Sequence, residues 1–423
     1  VSSIKVQPDE HPQAVDVATD VISNEHHPLF KVEYGDAGSA TQVSKAHPLP
    51  VVQGVGDLTI DAWGTPKFSQ DHSVFHGMFT FDVPSSMWLV YEDGAEIPNS
   101  TSTGAVSTNG ALVLDTAGLT SAAVESRRHP RYQPNRGHHF ATAVICPNKM
   151  LDGTRRWGLF TSDNGVFFRL KSDGLLYAVI LNNGVEDEEL INTSDIPDFD
   201  VEKGNVYDVQ FQWRGVGNYK FYINLKLVHT FNYLGTLTGL SMANPSISIG
   251  FECVKAAENV TMLVGCADIS SEGGDLEREQ YGSAIGTQTG NNVDYPIASI
   301  YCPPTINAKE NTRDLRLARV TVSSTARITA SIWKTRDLSA LTGESFAAIG
   351  NGSFVEVDTD ATAMVTGNAV LITKFKVEAN ASSFVDNPSR DTIDFYLTHG
   401  DILIVSYTGN ATVDAVIEWG EEI

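Results

Sequence analysis

Cysteine is scarce in this chain. Its 423 residues contain four, Cys146, Cys253, Cys266 and Cys302. No two stand at C-x-x-C spacing, which excludes the common zinc and dithiol redox motifs. Cys253 and Cys266 are placed to sit on neighbouring strands and pair, while four buried free thiols is the plainer expectation. Basic residues are few as well: 29 Lys and Arg stand against 52 Asp and Glu, a formal net charge of −23. Nucleic acid and anionic membranes both demand concentrated positive charge, so neither is an expected partner. No apolar run approaches the roughly 20 residues of a membrane-spanning helix. The opening residues, VSSIKVQPDEHP, lack the apolar stretch of a signal peptide, so export is not expected. Sustained helical periodicity is absent, and only short turns are expected near Leu276–Gln280 and Ala308–Asp314. Missing too are the G-x-S-x-G and GxxxxGK[ST] motifs. The expectation is therefore a protein that is not an enzyme, with no catalytic residues and no cofactor. A glycosidase carboxylate pair has no sequence signature without geometry.

What is present is β-pattern. In Val206–Phe231 (VYDVQFQWRGVGNYKFYINLKLVHTF), Tyr207, Val209, Phe211 and Trp213 alternate with Asp208, Gln210 and Gln212. Such alternation gives a strand one buried and one wet face. After the glycine-rich turn at Arg214–Asn218, Tyr219, Phe221 and Ile223 resume the period. Similar runs recur from about 56 to 270: Met78–Val83, Trp88–Tyr91, Ala111–Asp115, Phe140–Ile145, Arg156–Thr161, Val166–Lys171, Leu175–Leu181, Ser246–Glu252 and Val260–Cys266. Asx-Gly turns such as Asp93-Gly94 and Asn183-Gly184 separate several of them. Many short strands with few helix signals predict a two-sheet sandwich.

Residues 1–55 hold Pro8, Pro12, Pro28, Pro48 and Pro50 and read as an extended arm with one short strand near Leu29–Tyr34. An arm without a core is ordered by what it lies against, such as a neighbouring subunit. Residues 271–295 are polar and glycine-rich and read as a linker. From 296 to 423 the alternation returns at Ala318–Val322, Arg327–Trp333, Val370–Val377, Ile393–Leu397, Ile402–Tyr407 and Val413–Trp419, a second and smaller β-sandwich. Its last two runs read as a hairpin around Thr408-Gly409-Asn410.

Few residues suggest chemistry. His26-His27 and His138-His139 are adjacent, and on a strand adjacent side chains face opposite ways. His72 and His76 chelate together only on a helix, and Phe75, Met78, Phe79 and Phe81 argue for strand or loop there. Asp198, Asp200 and Glu202 resemble the start of a calcium loop but lack its closing glutamate. No metal site is expected. Trp63, Trp88, Trp157 or Trp213, where exposed, are candidates to stack on sugars, although Trp213 lies on the apolar face of its strand. The candidate interface is the basic cluster Arg127, Arg128, Arg131, Tyr132 and Arg136, conspicuous in an acidic chain. It reads either as an anion contact to a ligand or second subunit, or as a loop whose arginines bind backbone carbonyls and local acids.

Three segments carry a resemblance: HGMFTFDVPSSMWLVYEDGAEI (His76–Ile97), SRRHPRYQPNRGHHFATAVICPNK (Ser126–Lys149) and RRWGLFTSDNGVFFRLKSDGLLYAVI (Arg155–Ile180). With HHPLFKVEYGDAGSATQVSKAHPLPV (His26–Val51), they resemble structural proteins of tailed bacteriophage particles that carry a concanavalin-like sandwich. The likeness spans roughly residues 20–270. It departs from the general lectin-like pattern at Asn224, where Leu225 stands in place of a glycine, which puts a tight turn there in question. The resemblance implies an anchoring arm (1–55) and a concanavalin-like jelly roll (56–270); with the linker (271–295) and C-terminal β-sandwich (296–423) read from the residues, the whole chain is expected to be all-β. It implies a virion component of the capsid surface or the tail that contacts other virion proteins, and the coreless arm points to a homo-oligomer, a homotrimer. The alternative is a carbohydrate-binding module that attaches the particle to host or environmental glycans.

Overall fold

The computed structural model describes residues 71–423 except 135, 195, 274–278, 307–308, 351–352, 387–395 and 423, together with five strands before residue 71. The chain divides into two compact units, Val1–Thr59 and Ile60–Ile423. In the first, Ser2–Val6, Val15–Ile22 and Glu25–Pro28 form an antiparallel sheet, and Glu33–Tyr34 pairs with Thr41–Gln42. Five strands thus stand where one was expected. The anchoring role expected of residues 1–55 rests largely on residues outside those described, as does Trp63.

The larger unit begins with a sandwich of two eight-stranded antiparallel sheets. In the first sheet Lys226–Asn232, Asn218–Ile223, Asn205–Gln212, His138–Ile145, Thr261–Glu272, Ala111–Asp115 and Ala105–Thr108 lie side by side, and Asp71–Met78 also pairs with Thr261–Glu272. The second runs Val185–Leu190, Leu176–Asn182, Asn164–Leu170, Gly153–Phe160, Ile249–Lys255, Ser121–Ser126, Trp88–Glu92, Ala95–Ile97. The alternating pattern of the sequence is what closes it. Along His138–Ile145 and Ser121–Ser126 every second residue is buried. Trp157, Phe168, Tyr207 and Phe221 meet between the sheets, Trp157 edge-on to Tyr207 at 4.9 Å and Phe168 edge-on to Phe221 at 5.0 Å. This is the expected concanavalin-like jelly roll. The strand expected at Met78–Val83 is instead Asp71–Met78. Beyond it the chain leaves the sheet toward Pro84, whose carbonyl accepts from the Met87 and Trp88 amides.

At Asn224-Leu225 the two-residue turn survives, with φ of 49° and 65°. Leucine holds the left-handed conformation that glycine takes without steric cost. All four cysteines are free, so Cys253 and Cys266 do not pair. Burial pushes the Cys146 thiol up to about 12, which makes it inert.

The second module is also two-layered, but its layers share strands. Residues expected in a linker belong to Glu279–Tyr301, a 23-residue strand. The expected terminal hairpin is one strand, Ile402–Glu422, and these two strands pair from Glu279↔Glu422 to Tyr301↔Ile402. Register breaks at Asn292/Tyr295 and Pro296/Ala298 bend the pair. A Cβ on Gly286 would collide with the Ile297 carbonyl of the same strand, so the strand folds over itself and its halves face each other. Leu315–Ser324 pairs with one half of Ile402–Glu422, and Ile328–Thr335 with the other. Thr408-Gly409-Asn410 is the bend, not a turn: Gly409 and Asn410 stay paired with Asn292 and Asn291, and Gly409 takes a φ of 145° that glycine permits. Trp419, Tyr407, Val405, Leu317 and Ile332 fill the space between. Lys309–Glu310 is strand, where a helical turn was expected.

Candidate functional site at the module junction

Asp401 closes a tight turn before Ile402–Glu422. Its Oδ2 accepts from the Thr398 amide at 2.9 Å and the Thr398 hydroxyl at 3.1 Å, and its backbone carbonyl accepts from Cys302 N at 3.0 Å. The side chain is fully buried, yet three cations reach it. Lys334 Nζ lies 3.0 Å from Oδ2, and Arg127 Nη1 and Arg336 Nη1 lie 3.2 and 3.5 Å from Oδ1. Burial alone would raise the carboxyl. Lys334, Arg127 and Arg336 together outweigh it and push it down to about 2. Arg127 comes from the end of the sandwich strand Ser121–Ser126, with its amide bonded to Met87 O. Arg336 in turn meets Glu96 of the sandwich at 3.0 Å. Arg128 adds a third crossing, 3.7 Å from the buried Asp314 and stacked 4.9 Å over Tyr396. His129 and His399 touch edge to face at 4.9 Å. Burial pushes His399 down to about 4, assisted by Arg336, and lowers His129 well below the usual imidazole range.

These contacts divide the expected basic cluster. Arg127 and Arg128 cross to carboxylates of the second module. Tyr132 turns inward, stacked on His138 at 5.0 Å, and its hydroxyl accepts from Arg214 N. Arg131 lines a separate hollow of about 320 Å³ with Asn244 and Arg313. Arg136 Nη1 donates to Glu272 O at 3.0 Å. The residues missed by the sequence reading are Glu96, Lys334, Arg336 and Asp401. No local pattern marks them, because their grouping exists only once two modules meet.

Beside the network opens a cleft of about 880 Å³, within the range of small-molecule sites, ~300–1,000 Å³. Phe81, 93% exposed, and the half-buried Tyr301 line it together with Arg336, Asp337 and Asn368. Asp337 is held by the Ser339 amide at 2.9 Å and by Asn368 Nδ2 at 2.9 Å. Trp88 and Trp157 are fully buried and Trp213 packs on the core with Nε1 donating to Met242 O, so the three described tryptophans proposed for stacking do not serve. Among the described residues no group of three or more His, Cys, Asp or Glu stands together as a metal site.

No family model and no curated protein matches the chain. Solved structures do. An endo-1,3-β-glucanase from Streptomyces sioyaensis matches 48% of this chain over 96% of its own length, at 12% identity and a TM-score of 0.39. An endo-β-1,3-glucanase from Pyrococcus furiosus matches 49% of this chain over 97% of its own, at 13% identity and 0.36. A family 16 glycosyl hydrolase protein from Mycobacterium smegmatis matches 47% over 100%, at 11% and 0.37. These are glycan-cleaving enzymes, and that finding overturns the expectation of a chain that is not an enzyme. At such identities and TM-scores they carry no activity across to this chain.

Proposed function

We propose that this chain is a glycan-binding β-sandwich protein whose carbohydrate site is the junction cleft. The observation that carries this reading is the cleft wall itself. Phe81 and Tyr301 line it with aromatic side chains, and aromatic faces suit the C–H surfaces of sugar rings. Arg336, Asp337 and Asn368 set hydrogen-bonding groups beside them. Their mutual bonds and the Arg336–Glu96 pair fix these groups before any ligand arrives, which reduces the ordering cost of binding. The test is a glycan array probed with the full chain and with Phe81→Ala. Retention by the full chain, weakened about tenfold (~1.4 kcal/mol) in the variant, is expected. No retention, or retention indifferent to Phe81→Ala, refutes the cleft as the site. New reducing ends in the same incubations would show cleavage in addition to recognition.

The finer reading puts this recognition on a tailed-phage particle. The sequence resemblance of His76–Ile97, Ser126–Lys149 and Arg155–Ile180 supports it. On that reading the chain is a virion protein, a homotrimer, bound to other virion proteins and attaching the particle to host or environmental glycans. Immunogold microscopy of purified particles with an antibody to residues 296–423, paired with mass spectrometry of the particles, tests it. Gold on the capsid or the tail sets the location, and absence of the chain by both methods refutes it.

A further inference from the structure

Over its first part Glu279–Tyr301 is an edge strand. Ile402–Glu422 pairs along one side of it from Glu279 onward. Among the described residues no strand pairs with its other side before Ser299, which meets Asp358. An edge leaves a row of backbone N–H and C=O groups unpaired, and folded chains blunt such rows with charge, proline, bulges or shortness. The edges of the sandwich are blunted in these ways. Val185–Leu190 carries Glu186, Asp187, Glu188 and Glu189. Asp71–Met78 and Lys226–Asn232 pair with their neighbours through register shifts. Ala95–Ile97 and Ala105–Thr108 have only three and four residues.

The edge that begins at Glu279 has none of these devices. Its ladder with Ile402–Glu422 runs unbroken from Glu279 to Asn292. From Gln280 to Val293 the sequence, QYGSAIGTQTGNNV, holds neither charge nor proline. Tyr281 and Ile285 are 71% and 67% exposed and share the outer face with Ser283, while Ala284 is buried. Ile285 also ends a row across the sheet. It stands opposite Val416, Val416 opposite Thr321, and Thr321 opposite the exposed Phe384.

The stretch is complementary to itself. Two copies set antiparallel about a two-fold axis at Ser283 place Tyr281 of each opposite Ile285 of the other, so the same contact forms twice. An aromatic residue across from a β-branched one is a favourable cross-strand pair. On the inner face Gly282 falls opposite Ala284, and both are small. A Cβ on Gly282 would already collide with the buried Trp419 ring, so the core beneath needs nothing from the added strand. This symmetry selects a second copy over an unrelated strand.

We infer that two copies of the chain join here edge to edge, their Gln280–Gly286 stretches paired antiparallel so that one sheet runs through both. Main-chain hydrogen bonds supply the affinity, and the two Tyr281–Ile285 contacts fix the register. None of these residues lines the junction cleft, so the pairing is independent of the glycan reading. A two-fold contact joins copies in pairs, and on the virion reading it links one trimer to another.

The test is sedimentation equilibrium of the full chain at micromolar concentration. The full chain should contain an even number of copies. Ile285→Lys sets a charge against Tyr281 of the second copy and should halve that number. Register is read by cysteine linking under mild oxidation. Ser283→Cys lies on the axis and should give a disulfide-linked dimer. Thr287→Cys should not, since its two copies stand ~26 Å apart along the strands. An odd number of copies overturns the inference and means that the edge is covered from within the chain or by another protein. An Ile285→Lys assembly of unchanged mass overturns it too, as does Thr287→Cys linking as readily as Ser283→Cys.

Discussion

The sandwich ending at Glu272 keeps each of its strands in one sheet, whereas the module after it runs Glu279–Tyr301 and Ile402–Glu422 through both layers. In the sandwich, Gly153–Phe160, Asn164–Leu170, Leu176–Asn182 and Val185–Leu190 pair as successive hairpins. Each closes a short loop, at small entropic cost. In the second module the central pairing joins residues as distant as Glu279 and Glu422. The sandwich has pairs as distant, Asp71 opposite Glu272 among them, so what sets it apart is the run of local hairpins added to them. Local hairpins make a fold readable and quick to assemble; shared long strands make it depend on the whole segment at once.

The largest expected effect breaks the two modules separately. Trp157 and Trp419 are both fully buried, one in each core. Replacing either by alanine should cost about 3–5 kcal/mol. Scanning calorimetry should show Trp157→Ala lowering the sandwich transition and Trp419→Ala lowering that of the second module. Equal displacement of a single transition by both would mean that the junction makes the two modules one cooperative unit.

Acid should sharpen the comparison. His138 in the sandwich and His399 at the junction are both pushed down to about 4 by burial. A histidine whose folded pKa lies below its free value, ~6.5, stays neutral in the fold. Its contribution is therefore intact above about pH 6.5 and is lost as pH falls toward 4. Asp401 behaves as a depressed carboxyl. Its contribution is present above about pH 4 and is lost as pH falls through about 2, an effect of about 2 kcal/mol. Both regions should weaken between about pH 6.5 and 4; below 4 the junction loses Asp401, while the sandwich loses only the contributions of the more exposed Glu92, Asp93 and Glu186, whose carboxyls are also lowered. Urea titrations across that range, with Asp401→Asn alongside, check this. The variant should lose the lower step, and it should already be less stable at neutral pH, since it leaves the cations around Asp401 uncompensated.

The smallest effect concerns a turn. Leu225 at φ 65° is 67% exposed and makes the turn without benefit to the core. Leu225→Gly should stabilise the sandwich by about 1 kcal/mol. Among the described residues of the second module, the non-glycine ones at positive φ are Asp294 and Asn380, which tolerate that conformation, so Asn380→Gly should change little. Denaturant midpoints of the two variants make the comparison.

Most of the sandwich was legible in the sequence because its information is local. Ala111–Asp115 occurs with the bounds that its alternation predicts, as Val370–Val377 does in the second module. The Asx-Gly pairs at Asp93 and Asn183 take the positive φ that their residues favour. Illegible were the features in which composition and pairing disagree. Residues 279–290 look like linker because glycine, serine and threonine dominate them, yet glycine is what a strand needs where it folds against itself at Gly286. Thr408-Gly409-Asn410 has turn composition, but a partner strand on each side holds it in the ladder.

The candidate site divides the same way. The sequence by itself determined that this chain is all-β, acidic and marked by one basic cluster, since charge and period-two alternation are properties of neighbouring residues. Only the tertiary structure decided what the cluster meets. Glu96, Arg127, Lys334, Arg336 and Asp401 come from distant stretches of chain. A buried carboxylate recruits cations through space, over a few ångströms that sequence separation does not record.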